Sequence, residues 1–200
     1  MRLYQIPGSR SDRIRWLCAE LDLPLDLVTV DIHALPDELI ALNPCRTVPV
    51  FVDGTHVMTE SVGAMLYIAS RHSARDLAVA PDEPGYAEFL QFLELGEAGM
   101  LSPLNAIISS KFFGPPGATE NFTAQAIVKS LDGRIELLRR RVETGAYLAA
   151  DRFTIADISV AFAVKVAVKM LRLGDHYPPE VTAYAERMMA RPAYQAIAQY

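Results

Sequence analysis

Residues 47–61 read TVPVFVDGTHVMTES, a segment with a proline near its start and a glycine-containing turn in its middle. Valines alternate along its first half, which is the period of a β-strand. Asp53-Gly54 then predicts a two-residue hairpin turn, after which Thr55–Met58 returns antiparallel. Because Pro49 cannot donate a hydrogen bond to a sheet, a proline at the start of this strand needs a structural reason.

The residues before this hairpin predict two further strands and two helices. Leu3–Ile6 is a strand candidate, and apolar residues with helical spacing follow from Ile14 to Leu21. Residues 25–30 predict a second strand, and a short helix is expected from Pro36 to Asn43-Pro44. With one more helix after the hairpin, the order is βαβαββα. This is the thioredoxin topology, although the order alone also suits other α/β arrangements. The last helix is expected to bury the face formed by Val62, Met65, Leu66 and Ala69.

The predicted fold class is α/β followed by all-α, in two domains. Residues 1–76 form the thioredoxin-like domain, residues 77–84 the linker, and residues 85–200 an all-helical bundle. The linker is inferred from the polar region Ser73–Pro84, which contains two prolines. The predicted helices of the second domain are Tyr86–Ser109, Phe122–Thr144, Thr154–Arg172 and Pro179–Ala190.

The helix predicted from Thr154 is apolar on nearly all sides, so we expect it to form the core of the second domain. Thr154 as N-cap, with Asp157 three residues later, resembles a capping box. The expected role of this pair is in folding and not in catalysis.

Charge and cysteine content argue against several classes of function. The net charge is −5 and no basic run exceeds three residues, so a nucleic-acid partner is not expected. The two cysteines and four histidines show no ligand spacing, which argues against a metal. The N-terminus lacks the apolar run of a signal peptide, and the apolar segment Ile155–Leu173 carries four charges. A cytoplasmic protein with no membrane partner is expected.

Glu60-Ser61 stands at the start of the helix after the hairpin, where unpaired backbone N–H groups favour an anion. Ser61 can add a hydroxyl donor for a carboxylate, while Glu60 suits an ammonium group. Together they suit the two charges of an amino acid. The alternative is that Ser61 is a plain N-cap and Glu60 only complements the helix dipole.

Pro49 and Glu60-Ser61, which stand 11 and 12 residues apart, resemble the pattern of the cytosolic glutathione S-transferases. The resemblance covers nearly the whole chain, and its further parts are Asn43-Pro44, the linker and the segment Phe153–Asp157 in the helical half. It implies that Pro49 is cis, that the backbone of Val48 binds the cysteinyl part of glutathione, and that Glu60-Ser61 hold its γ-glutamyl group. A cis bond is otherwise found in only about 5–6% of X–Pro bonds.

The same resemblance implies a glutathione transferase that conjugates glutathione, its co-substrate, to a small hydrophobic electrophile in detoxification. It also implies a homodimer. The hydrophobic pocket is expected from the helical domain, although each candidate also suits ordinary core. The pocket candidates are Met100, Pro103, Leu104, Phe112 and Phe113.

The turn Pro7–Arg13 is expected to lie at the sulfur of glutathione. Lowering a thiol pKa from about 8.5 to about 6.5 requires roughly 2.7 kcal/mol, which one hydroxyl and a helix dipole can supply. Arg10 stands where cysteine-type relatives carry their cysteine, so a serine-type or atypical class is implied. Ser9 is the first candidate for the catalytic hydroxyl and Ser11 the second.

The other candidates at this turn are Arg10 or Arg13 as a cationic stabiliser and Tyr4 as a weaker donor, because strand residues usually pack. Both serines could instead merely cap the helix. Cys18 falls on the apolar stripe of that helix and is expected to be buried, whereas Cys45 precedes Pro49 in a loop.

Two other functions remain open. The absence of a catalytic tyrosine or cysteine is compatible with a non-catalytic module of the same fold that binds proteins. A glutathione-dependent thiol-disulfide reductase is less favoured, because the turn from Ser9 to Ser11 has no cysteine.

Overall fold

The computed structural model describes residues 1–72 and 77–198, and the chain divides into two compact units. The first unit contains residues 1–78 and the C-terminal segment from Ala190, and the second contains residues 79–189. Strands and helices of the first unit follow in the order β1 Arg2–Gln5, α1 Ser11–Glu20, β2 Asp26–Thr29, α2 Asp37–Leu42, β3 Val50–Asp53, β4 His56–Met58 and α3 Ser61–His72.

These elements form the predicted βαβαββα arrangement. The four strands lie in the order β2-β1-β3-β4, with β1 parallel to β2 and antiparallel to β3, and β3 antiparallel to β4. A parallel pair extended by a hairpin is the thioredoxin-like topology, so the expected fold class is confirmed.

The hairpin turn lies one residue later than expected. Asp53 pairs with His56, so the two loop residues are Gly54 and Thr55 and not Asp53-Gly54. Gly54 has a φ of +58°, a conformation that hairpin turns of this length require and that glycine adopts without steric strain. The glycine was identified correctly, but its place within the turn was wrong.

The helices of the first unit bury one face each. Ile14, Leu17 and Cys18 on α1 are buried, as their spacing predicts. On α3 the expected face is partly wrong, because Leu66 is 39% exposed. The buried apolar residues of that helix are Ala64, Met65, Ile68 and Ala69. Helical spacing of three and four residues is compatible with a buried face that contains either Leu66 or Ile68. In the folded chain Ile68 is the buried residue.

A short C-terminal helix, α10 (Pro192–Ile197), packs against α1. Glu20 accepts two hydrogen bonds from the guanidinium of Arg191, at 2.7 and 2.8 Å. The rings of Trp16 and Tyr194 meet edge to face with centroids 4.7 Å apart. The predicted boundaries 1–76, 77–84 and 85–200 stay predictions, since residues 73–76 lie outside the described part of the chain.

The second unit is helical throughout its regular elements. A continuous helical run consists of α4 (Tyr86–Glu94), a π-helical segment Leu95–Leu101 and α5 (Ser102–Phe113). A second π-helical segment, Val166–Met170, extends α8 (Ile155–Lys165). The helix predicted over Phe122–Thr144 is instead two helices that meet at Leu131. The elements are α4 Tyr86–Glu94, α5 Ser102–Phe113, α6 Phe122–Ser130, α7 Asp132–Thr144, α8 Ile155–Lys165 and α9 Pro179–Met189.

The start of α8 is the capping box that the sequence predicts. The Thr154 N–H donates to the Asp157 carboxylate at 2.9 Å, and the Thr154 hydroxyl accepts from the backbone of α8. Asp157 also accepts from the Tyr184 hydroxyl at 2.8 Å and from the Leu148 N–H at 3.1 Å. Burial raises the pKa of Asp157, while these hydrogen bonds oppose that shift. The buried helix is therefore fixed by one carboxylate with partners on three sides.

None of the helices described is long and apolar enough to cross a membrane. Within residues 1–72 and 77–198, no three His, Cys, Asp or Glu side chains are grouped so that they could hold a metal ion.

Candidate functional site

Three of the predicted site segments emerge at the same end of the sheet. Because β1 and β3 are antiparallel and Tyr4 pairs with Val50, the end of β1 lies beside the beginning of β3. Because Phe51 pairs with Met58, the end of β4 lies there too. The turn after β1, the segment before β3 and the start of α3 are thereby brought together by strand register alone.

The segment before β3 contains a cis peptide bond between Val48 and Pro49, as expected. The side chain of Val48 packs against the core cluster that includes Tyr4 and Val50. With its side chain directed into the core, Val48 can offer a ligand only its backbone groups. Backbone groups at the end of a strand are suited to an extended peptide.

Asn43 holds the loop that leads to this segment. Its side-chain amide donates to the Thr47 carbonyl oxygen at 3.0 Å, and its carbonyl oxygen accepts from the Cys45 N–H at 3.0 Å. Asn43 is only 1% exposed, although it closes a short helix at the surface. It therefore organises the approach to Val48-Pro49, a role that the sequence signal at Asn43-Pro44 did not reveal.

Glu60 and Ser61 lie at the beginning of α3. The carbonyl oxygen of Glu60 accepts the first helical hydrogen bond, from Ala64 at 2.9 Å, and Ser61 is the first residue of the helix. Ser61 is thus one position past the N-cap, which disfavours the plain capping alternative. Its hydroxyl oxygen accepts a hydrogen bond from Arg13 at 3.2 Å. Glu60 is exposed.

The turn before α1 is held by a buried carboxylate. Gly8, with a φ of +83°, donates its N–H to Asp12 at 3.1 Å. Arg15 donates to the other oxygen of Asp12 at 3.0 Å, and both side chains are almost fully buried. Since Asp12 is neutralised by Arg15, its charge opposes a nearby anion less than a free carboxylate would. Both residues are functional candidates that the sequence did not single out.

Ser9 and Ser11 differ in exposure and in role. Ser11 has no exposed surface, whereas Ser9 is partly exposed. The two hydroxyl oxygens are 3.0 Å apart, and the Ser9 oxygen accepts from the Ser11 N–H at 3.2 Å. Ser9 is therefore anchored at the first N–H of α1, and its hydroxyl donates to the Ser11 oxygen, from which it can rotate to another acceptor. Arg10 occupies the N-cap position without a side-chain capping hydrogen bond.

Tyr4 is a packing residue, as expected for a strand position. It is 2% exposed and donates its hydroxyl to Glu38. This hydrogen bond and burial raise the pKa of Tyr4. Arg13 has no exposed surface and reaches Ser61 on α3.

The two cysteines behave differently. Cys18 is buried, as predicted, and burial raises the pKa of its thiol to about 12. It is therefore protonated at neutral pH. Cys45 is exposed in the loop held by Asn43.

The candidates for a hydrophobic pocket fall into two groups. Met100 and Leu104 are fully buried, so their side chains are ordinary core and offer no surface to a ligand. Their assignment as pocket walls is a prediction that this burial disfavours. Pro103 is partly exposed, and Phe112 and Phe113 are 57% and 65% exposed.

Comparisons with known proteins agree with this fold. The family model described as "Glutathione S-transferase, N-terminal domain" matches residues 3–76, and the model described as "Glutathione S-transferase, C-terminal domain" matches residues 106–192. The chain is 28% identical to glutathione S-transferase 3 of Zea mays over 98% of this chain and 91% of that protein.

Two solved structures have the same fold. A glutathione transferase from Methylococcus capsulatus superposes with a TM-score of 0.83 at 23% identity, covering 98% of this chain and 96% of that one. A sphingomonad glutathione S-transferase complexed with glutathione superposes with a TM-score of 0.79 at 23% identity, covering 99% and 97% of the two chains. This chain belongs to the glutathione S-transferase superfamily, whose members are transferases.

Proposed function

We propose that this protein binds glutathione at the end of the sheet where the three segments meet, and activates it as a thiolate. The observation that carries the proposal is the strand register that brings the Ser9 turn, Val48-Pro49 and Ser61 to one end of the sheet. The cysteinyl backbone would pair with Val48, and the γ-glutamyl group would meet Glu60 and Ser61. This arrangement uses each segment for the part of glutathione that it suits chemically.

Ser9 is the proposed donor to the thiolate. Its partial exposure and its anchorage at the N-terminus of α1 support this role over Ser11, which is buried. A hydrogen bond to a charged acceptor contributes about 1.5–3 kcal/mol, and a helix dipole adds about 0.3–1 kcal/mol. Arg10, at the same helix end, is the proposed source of additional positive charge.

The electrophile is proposed to be small and hydrophobic, and the reaction a nucleophilic attack of the thiolate on an electrophilic carbon. Pro103, Phe112 and Phe113 are the remaining candidates for apolar walls, because each has exposed surface. We further propose that the protein is a homodimer in the cytoplasm and acts in detoxification.

Two measurements test the proposal. Calorimetry should detect glutathione binding, and an activated aryl halide should be conjugated in its presence. Binding without any conjugation would favour the non-catalytic module. No binding to glutathione would contradict the proposed function altogether.

A further inference from the structure

A buried ion pair on α1 lies between the proposed catalytic turn and the C-terminal helix α10. The side chains of Asp12 and Arg15 are only 8% and 4% exposed, and Arg15 Nη1 donates to Asp12 Oδ1 at 3.0 Å. The other oxygen of Asp12 accepts from the Gly8 N–H at 3.1 Å. Arg15 Nη2 donates to the carbonyl oxygen of Ile197 at 3.1 Å. Three hydrogen bonds in series therefore join Gly8, the neighbour of Ser9, to the end of α10.

The end of α10 is a suitable anchor for a guanidinium. The last carbonyl oxygens of a helix have no partner within the helix, and they carry the negative end of its dipole. Arg15 donates to one of them, although it stands 182 positions away in the chain. The helix is held against α1 by the ion pair of Glu20 with Arg191 and by the edge-to-face rings of Trp16 and Tyr194. The position of the Arg15 guanidinium thus depends on how α10 is docked.

Arg15 also determines how the carboxylate of Asp12 affects a nearby anion. Asp12 lies on the first turn of α1, the helix end at which the thiolate of glutathione is proposed to bind. A carboxylate disfavours a neighbouring anion, and a buried charge is screened less than one at the surface. The guanidinium offsets this charge and leaves the second oxygen of Asp12 to hold Gly8. With the pair intact, the carboxylate orders the turn while opposing the thiolate only weakly.

We propose that Arg15 is a positioning residue that couples α10 to the turn carrying Ser9, through Asp12, and that this coupling favours ionisation of bound glutathione. The inference rests on the proposed function and adds to it an element distant in sequence on which the thiolate depends. The peptide groups of glutathione are proposed to bind elsewhere, at Val48 and Ser61. A change at Arg15 should therefore alter the thiol and leave the binding of a thioether analogue as it is.

The experiment measures the pKa of the bound thiol from thiolate absorbance, and the affinity for S-methylglutathione, which has no ionisable thiol, by calorimetry. In Arg15→Met the pKa of the bound thiol should rise by about one unit, because the carboxylate of Asp12 loses its cation. The thiolate fraction at a pH below that pKa, and kcat with it, should fall about tenfold. The dissociation constant of S-methylglutathione should stay within about twofold of the parental value, since the changed site is separate.

A second substitution tests the route through Asp12. Asp12→Asn keeps an oxygen that can accept from the Gly8 N–H but removes the negative charge. Added to Arg15→Met, it should return the pKa of the bound thiol most of the way to the parental value. A double variant that keeps the raised pKa would show that Arg15 does not act through this carboxylate and would contradict the inference.

A chain that ends at Tyr194 tests the link to α10. It retains Arg191 and the ring of Tyr194 but lacks the carbonyl oxygen of Ile197 that accepts from Arg15. The pKa of the bound thiol should rise as in Arg15→Met, but by less, because the ion pair with Asp12 is still present. A parental pKa in this chain would contradict the coupling to α10.

Arg2→Met is the matched control. Arg2 also pairs with an aspartate of the first unit, Asp26, but at the surface, where the two side chains are 49% and 59% exposed. This variant should behave as the parent, whereas Arg15→Lys, which keeps the charge, should have a lower thiol pKa than Arg15→Met. Thermal unfolding verifies that each variant is folded. If Arg15→Met does not fold, the chain that ends at Tyr194 decides.

Further charged groups near the beginning of α1 are the same in every variant. They are Arg10 and Arg13 on the helix itself and Glu60 before α3, while Glu20 and Arg191 pair at the opposite end of α1. A change in the thiol pKa between variants is therefore an effect of the Asp12–Arg15 pair and its anchor.

The outcomes distinguish this inference from the proposed function. If the parent binds glutathione as a thiolate and folded Arg15→Met keeps the parental thiol pKa, the inference is wrong and the proposed function stands. Equal weakening of glutathione and S-methylglutathione at an unchanged thiol pKa would also contradict it, since that is the effect of a purely structural residue. A parent that binds no glutathione contradicts the proposed function and this inference with it.

Discussion

At the scale of single residues, the turn before α1 shows how two serines two positions apart acquire different roles. The Ser11 N–H fixes the oxygen of Ser9, and the Gly8 N–H is fixed by Asp12. The turn is thereby held by groups on both sides of Ser9. A hydroxyl held in this way loses little conformational freedom when it meets a thiolate.

Replacement of Ser9 by alanine should raise the pKa of the bound glutathione thiol by about 1–2 units, the equivalent of a lost hydrogen bond to a charged group. The rate at neutral pH should fall accordingly and recover at higher pH, because the thiolate then forms without help. Ser11→Ala should have a smaller effect, since its side chain is buried. The check is the thiolate absorbance titrated against pH, with Ser70→Ala on exposed α3 surface as the control.

An unchanged thiol pKa in both Ser9→Ala and Ser11→Ala would contradict the serine-type mechanism. The donor would then be a backbone N–H or an arginine, and glutathione binding itself could persist.

The two cysteines should react at very different rates with an aromatic disulfide reagent. Cys45 is exposed and should react in the native protein, whereas Cys18 should react only on unfolding. The folded pKa of Cys18, about 12, lies above its unfolded value, so its contribution to stability is complete below the unfolded pKa and is lost as pH rises towards 12. Thiol titration with the reagent, before and after adding denaturant, measures the reaction of the two cysteines. Two fast-reacting thiols in the native parent protein would contradict this expectation. The native Cys45→Ser variant should have no fast-reacting thiol.

At the scale of elements, the sequence predicted periodic features well and local register less well. The strand order and the buried face of α1 follow from periodicity, which depends on many residues at once. The hairpin turn was misplaced by one residue, because Gly54 suits either position of a two-residue loop. Leu66 was assigned to the core although it is exposed, because its spacing on α3 is the same as that of buried neighbours.

For the candidate site too, the sequence predicted some features and missed others. Pro49 and Ser61 were singled out as candidates because their residue types are chemically informative at their positions. The sequence did not predict the contacts made by Asn43, Asp12 and Arg13. Each contact depends on a partner that local spacing does not reveal. The Arg13 partner is 48 positions away, so only the folded chain brings the pair together.

At Gly96 the π-helical segment Leu95–Leu101 lies close against Ser159 of α8. A Cβ at Gly96 would lie 2.4 Å from the Ser159 hydroxyl oxygen and 2.5 Å from its backbone carbon. Gly96→Ala should therefore destabilise the protein by about 1–3 kcal/mol through overpacking. The melting temperature should fall by about 2–4 °C per kcal/mol in a chain of this size.

Gly133→Ala is the matched control for this prediction. It also lies in a helix of the second unit, but no atom is within 4 Å of its added Cβ. A helical glycine replaced by alanine gains about 0.5–1 kcal/mol, so Tm should rise or stay the same. If Gly96→Ala melted at or above the parental temperature, the close approach would be wrong.

At the scale of the whole molecule, the family membership predicts a dimer of identical chains. Symmetric pairing through one shared surface is the commonest arrangement for such oligomers. Light scattering at working concentration should give twice the mass of one chain. A mass of 22.1 kDa across the concentration range would show that the protein is a monomer and would exclude a site completed by a partner.

The central claim is that one glutathione molecule occupies the end of the sheet formed by three separate segments. Titration of the labelled protein with glutathione, followed by backbone amide NMR, tests it directly. The amide signals of Ser9, Val48 and Ser61 should shift together with a single dissociation constant, while those of the α7 residues 132–144 stay in place. Absence of shifts at these three amides, or shifts confined to the helical unit, would contradict the claim.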